Sequence, residues 1–212
     1  MRSITKTIVI AASTIALCFG LTACGGGQST SSDNSSSNNS AASSEKTAPT
    51  TQEESKAVDF YMFKGEMPEG YGLTGPNGNS SPLNIVEFRN IENPDKIIDV
   101  EIDEGTAQEQ FDKAAAKDKY TAGDDVKLDK YTWKTLNFTW NKQPSVVLYT
   151  DIADGLYAEV TLYETTLDDA AVKAFLEGVE FATDYDAAHK AGMDTTVEKF
   201  ATDNNLTLWE AK

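Results

Sequence analysis

Residues 146–163 read VVLYTDIADGLYAEVTLY. Two runs of β-branched and aromatic residues flank Ala153-Asp154-Gly155, a tight turn signal. The stretch predicts an antiparallel hairpin with strands Val146–Ile152 and Leu156–Tyr163. In the second strand Leu156, Ala158, Val160 and Leu162 alternate with Tyr157, Glu159, Thr161 and Tyr163. Alternation at period two turns the first row inward and the second to the opposite face. Tyr149 and Asp151 of the neighbouring strand fall beside that second row.

Downstream, Val172, Phe175, Leu176 and Val179 sit at helical spacing, with Asp168 and Asp169 in the first turn near the positive end of the dipole. Glu180–Ala182 adds a short strand. Upstream, Val58–Phe63 and Leu83–Phe88 read as strands, separated by the turn-rich loop Met67-Pro68-Glu69-Gly70-Tyr71-Gly72. Asn93-Pro94-Asp95 turns the chain into a third strand, Ile97–Ile102. Thr106-Ala107-Gln108-Glu109 is a capping box that opens a helix with a narrow stripe of Ala107, Phe111 and Ala114 or Ala115. Val126–Trp140 reads as a strand pair or one bent strand. Tyr131 and Trp133 share one parity and Leu136, Phe138 and Trp140 the other, so a bulge or turn is expected near Lys134. Asn141–Pro144 turns into the hairpin.

The order β-β-β-α-β-β-β-α predicts an α+β domain, with an antiparallel sheet of about six strands and two helices packed on one face. It spans residues 57–182. Residues 183–212 form a helical tail. Tyr185–Ala191 is closed by Gly192, and Thr195-Thr196-Val197-Glu198 opens a second helix with Val197, Phe200 and Ala201 as its stripe. The tail is expected to dock on the second sheet face, over the tyrosines, because so short a helix is marginal alone in water, with engagement of a partner as the alternative.

This element order resembles the Mog1/PsbP-like fold. The lead-in Phe60-Tyr61, the Pro68-Glu69-Gly70-Tyr71 loop, the Thr106–Glu109 helix start and Leu176-Glu177-Gly178-Val179 carry the resemblance across 57–182. It implies a binding or accessory role, since that fold is mostly noncatalytic, and it transfers no site residues.

Before the domain stands an address. Residues 1–23 hold Arg2 and Lys6, then an apolar run too short and too poorly flanked to span a membrane, so they read as a signal peptide. Leu21-Thr22-Ala23-Cys24 resembles the lipobox of bacterial lipoproteins. The resemblance implies a diacylglyceryl thioether on Cys24, cleavage before it, and membrane anchoring by two or three acyl chains. Gly25, rather than Asp, follows the cysteine, so the familiar inner-membrane retention cue of Gram-negative lipoproteins is absent. Residues 24–56 carry the lipidated cysteine and a Ser-rich linker. Half of residues 28–45 are Ser, too few apolar groups to offset ordering entropy, so disorder is expected. A coil of this length reaches about 30 Å, a spacing that suits the extracytoplasmic face of a Gram-positive envelope better than a periplasm.

The chain's formal charge is −16, and losing Arg2 and Lys6 with the signal leaves −18. That surface repels nucleic acid and anionic lipid heads and favours cationic partners. Cys18 leaves with the signal, so the domain has neither disulfides nor thiolate chemistry. His189 is the only histidine, and Ser80, Ser81 and Ser145 lie in no nucleophile motif. Neither a metal set, a phosphate cradle nor a cofactor motif is found. Asp99, Glu101, Asp103 and Glu104 read as a solvated sheet face, with weak calcium binding as the lesser reading. Asp124, Asp125 and Asp129 form another acidic group, and no Asp-x-Asp-x-Asp-Gly calcium loop occurs in the chain.

The ligand-binding candidates are Tyr149, Asp151, Tyr157, Glu159 and Tyr163, a Tyr-plus-acid surface suited to stacking a sugar ring or holding a cationic peptide. The expectation is a noncatalytic binding or accessory module of the cell envelope, meeting the membrane through Cys24 and an unidentified ligand or protein. The alternatives are a cell-wall hydrolase using two carboxylates and a passive surface coat.

Overall fold

The computed structural model describes residues 57–211. The signal segment, Cys24 and the linker up to residue 56 lie outside the described residues. The strands before the first helix are β1 (Val58–Asp59), β2 (Phe63–Gly65), β3 (Tyr71–Thr74), β4 (Val86–Asn90) and β5 (Ile97–Glu104). After α1 (Ala107–Ala115) come β6 (Thr121–Ala122), β7 (Val126–Leu128), β8 (Tyr131–Trp140), β9 (Gln143–Ala153) and β10 (Leu156–Tyr163). Then follow α2 (Ala170–Gly178), β11 (Glu180–Phe181), α3 (Tyr185–Met193) and α4 (Val197–Asn204). The domain is α+β. Its large antiparallel sheet has eight strands, in the order β3-β4-β5-β10-β9-β8-β6 with β7 also paired to β8. A small sheet β1-β2-β11 lies apart.

The 146–163 hairpin forms the middle of the large sheet. Asp154-Gly155 turns it, with Gly155 at φ 72, a left-handed position that favours glycine. β10 pairs β5 along its whole length, Val160 opposite Val100 and Ala158 opposite Ile102. One face of these strands enters the main core, where Phe60, Phe63, Phe88, Phe175 and Phe200 interlock. Phe88 meets Phe175 edge-on at 5.5 Å, and Phe60 meets Phe200 at 5.4 Å. Asp169 caps α2 by accepting from the Ala171 N–H at 3.1 Å, which directs Val172, Phe175 and Leu176 into that core.

Several features differ from the expectations. The strand expected over Val58–Phe63 breaks at Tyr61, φ 68, into β1 and β2, and the one expected over Leu83–Phe88 runs instead as β4. Tyr71-Gly72 belongs to a strand, not a loop: the Tyr71 N–H donates to Pro68 O at 3.1 Å, closing a turn with Gly70 at φ 80, and the chain then extends along β4. Residues 126–140 turn at Asp129, φ 45, not at Lys134. No bulge is needed there, because β8 is buried on both sides. Trp133 enters the main core, while Leu136 enters a second cluster on the other face.

The helices do not share one face. α1 lies opposite α2, its Ala107, Phe111, Ala114 and Ala115 packed on Leu136, Val147, Tyr149 and Tyr157. Short alanine side chains let the helix approach bulky tyrosine rings. The tail goes to the main core, with Ala188, Val197, Phe200 and Ala201 buried there, so α1 and not the tail covers the tyrosines. The C-terminal segment also caps the sheet edge: Leu73 N–H donates to Thr207 O at 2.8 Å, and Trp209 N–H to Leu73 O at 2.9 Å. Gly72 permits this approach, since a Cβ there would stand 2.7 Å from Trp209 N. Among the described residues no helix is long and apolar enough to cross a membrane.

Candidate functional site

The polar face of β4, β5 and β10 carries rows fixed by strand register. Glu87, Asp99 and Thr161 are aligned across three strands, and so are Glu101 and Glu159 with Tyr149 of β9. Beyond the edge of α1 these side chains form a cleft of about 180 Å³, lined by Pro76, Ile85, Asp99, Glu101, Glu159, Thr161 and Tyr163. The loop after β3 supplies Pro76 as one wall, so Asp99 and Glu101 are largely shielded rather than solvated as expected.

Shielding sets the electrostatics. Burial pushes the Asp99 carboxyl well above the usual carboxylate range, and the negative charges of Glu87 and Glu101 push it further. Asp99 Oδ1 is buried without a hydrogen-bond partner, and in its protonated form the group donates to Glu87. Glu87 is already held by Arg89, whose Nη2 donates to Oε1 at 2.7 Å. Burial raises Glu101 to about 7, helped by Glu159 and Asp103. Glu159 also rises through burial, and the Thr161 hydroxyl, donating to its Oε1 at 3.3 Å, and the Tyr149 hydroxyl partly counter this. Among the described residues no lysine or arginine forms an ion pair with Asp99, Glu101 or Glu159.

The structure brings two of the five candidates, Glu159 and Tyr163, into this cleft. Tyr149 and Tyr157 are only 5% exposed, covered by α1. Burial and the carboxylates beside them raise both phenols strongly. Asp151 serves α1: its Oδ1 accepts from the Ala107 N–H at 2.7 Å, satisfying a first-turn donor. Asp99, Glu101 and Thr161 were missed as site members. Their signal was the same alternation, with Ile98, Val100 and Ile102 on the other side of β5.

A second feature adjoins the cleft. The Tyr163 ring packs edge-on against Trp140 at 5.3 Å and Phe138 at 5.9 Å. Trp140 is 47% exposed, at the end of the β8–β9 hairpin, where Asn141 and Lys142 take φ 47 and 69 in a two-residue turn. The arrangement can hold a positive charge among carboxylates beside an aromatic ledge. His189, far along the chain on α3, stacks on Tyr185 at 5.4 Å. Among the described residues no three metal-ligating side chains are grouped to hold an ion.

No family model matches the chain, and no curated protein matches it either. Solved structures do. A crystal structure from Bacteroides thetaiotaomicron is similar at 11% identity and TM-score 0.36, covering 58% of this chain but only 46% of that one. The solution structure of cyanobacterial PsbP (CyanoP) from Synechocystis sp. PCC 6803 is similar at 14% identity and TM-score 0.38, covering 60% of this chain and 91% of that one.

Proposed function

We propose that this chain is an extracytoplasmic lipoprotein, anchored in the membrane by lipid on Cys24, whose domain is a noncatalytic binding module of the cell envelope. The observation that carries the binding role is the cleft over Asp99, Glu101 and Glu159, where carboxylates on central strands lack an ion-pair partner. Carboxyls crowded on a rigid scaffold, with their proton affinity raised by burial, are a feature of functional sites. The anchor rests on the basic n-region, apolar run and lipobox, and the linker supplies reach.

Both halves have a direct test. Cells producing the full chain and fed an alkynyl palmitate will label it, and Cys24→Ala will remove the label and release the protein from membranes. Equal membrane retention of Cys24→Ala would sink the anchor. A thermal-shift panel of organic cations, cell-wall sugars and peptides will raise the melting midpoint with at least one class, by mass action. That shift will shrink in Glu159→Gln. A panel without any shift would sink the binding role.

A further inference from the structure

The cleft and the Trp140 ledge are one surface, because Tyr163 belongs to both: it lines the cleft and its ring braces Trp140. We propose that this surface docks a cationic peptide, a lysine or arginine side chain entering the cleft while the apolar residue beside it lies on Trp140. The proposal rests on the binding-module reading and names its ligand class.

Three independent observations point to that class. The first is charge. Glu101 stands directly opposite Glu159 in the β5–β10 register. Like charges facing one another across strands destabilise a sheet, and neither glutamate is in an ion pair, Lys117 easing Glu159 only from beyond ion-pair distance. Arg89 is occupied by Glu87 and lies over the Trp209 ring at 4.7 Å. An entering ammonium or guanidinium places a positive charge beside Glu101 and Glu159, the opposed carboxylates that line the cleft.

The second is size. A partly open cleft of about 180 Å³ takes one side-chain-sized group projected from a partner. The third is the ledge. Trp140 is 47% exposed at the hairpin end, and tryptophan is the side chain that most often anchors a binding interface. Trp140 and Tyr163 present ring faces and edges within reach of a cation and its aliphatic stem. Sugars would also stack on Trp140, yet they bring no positive charge to the opposed glutamates. A phosphate-bearing ligand would worsen the repulsion.

The test is fluorescence anisotropy with the full chain and labelled Gly-Leu-Lys-Leu-Gly, its Nε-acetyllysine counterpart, and a labelled N-acetylglucosamine tetrasaccharide. The lysine peptide is expected to bind, acetylation to weaken it at least tenfold, and Glu101→Gln and Trp140→Ala each to weaken it at least threefold. Glu177→Gln, an exposed charge change on α2, is expected to leave binding unchanged, which separates the cleft from the chain's general negative charge. Melting midpoints for each variant guard against misfolding. Equal binding of the acetylated peptide, equal loss in Glu177→Gln, or no peptide binding at all would overturn the proposal. Binding of the tetrasaccharide that Trp140→Ala abolishes would overturn it too, while leaving the binding-module reading in place.

Discussion

On one side of the sheet Phe88, Ile98, Val100, Val160 and Leu162 are sealed beneath α2 and the C-terminal helices, each essentially without solvent contact. One step along the same strands, Asp99, Glu101, Glu159 and Thr161 face a partly open cleft, with Glu87 buried beside them. A period-two backbone lets adjacent residues live in opposite solvents. The apolar face therefore stabilises the domain, and its rigidity holds carboxylates on the polar face where, unaided, they would repel one another apart. The second face also shows two treatments of its own. Under α1 it is aromatic and closed, and beyond α1 it is acidic and open.

The largest change comes from breaking the sealed face. Phe88 packs edge-on against Phe60, Phe63 and Phe175 at 5.5, 6.3 and 5.5 Å. Phe88→Ala removes the ring from an interior that cannot refill, and urea unfolding should show a loss of about 3–5 kcal/mol. A loss under ~1 kcal/mol would mean that this face is loosely packed.

Next is the acidic face, where the effect has the opposite sign. Burial holds Glu101 at about 7 against an ordinary 4.5, so between those values the folded chain keeps a proton that the unfolded chain has released. This contribution is complete below pH 4.5 and is lost as pH rises to about 7. Glu101→Gln should flatten that part of the stability profile and, above pH 8, stabilise the domain by on the order of 2 kcal/mol. A parallel profile for wild type and variant, read from melting midpoints, would show that Glu101 is solvated.

The closed part of the second face depends on how α1 is seated. Asp151→Ala orphans the Ala107 N–H and should cost about 1 kcal/mol, with faster hydrogen exchange confined to α1. Exchange that speeds up uniformly would instead make α1 inseparable from the sheet.

The legible parts of the sequence were those governed by short-range periodicity. The hairpin at 146–163, the register-bearing alternation of β10, α2 with its Asp169 cap, and the Thr106 start of α1 all follow from spacing and capping chemistry. Which face a helix covers does not. The stripe of α1 is mostly alanine, and alanine says that a close neighbour exists without saying which. The tyrosines of β9 and β10 therefore looked exposed, or covered by the tail, when α1 lay on them. Likewise Asp99 and Glu101 looked solvated because the wall that shields them, Pro76 and Ile85, comes from a distant loop. Exposure is a long-range property, and alternation reports only that two faces differ.

Trp140 separates stability from recognition at the smallest energetic scale. Unlike Trp133, fully buried seven residues earlier in the same strand, it lies at the rim with 47% of its surface open. Trp133→Ala would open a core cavity. Trp140→Ala removes contacts with one neighbouring ring and little else, so its stability should stay within about 0.5 kcal/mol of wild type. A tryptophan that contributes this little to stability leaves its open ring to the proposed peptide at no cost to the fold. Should Trp140→Ala melt several degrees lower instead, the ledge would belong with the sealed face as structure, and the contrast between the two faces would stop at the cleft.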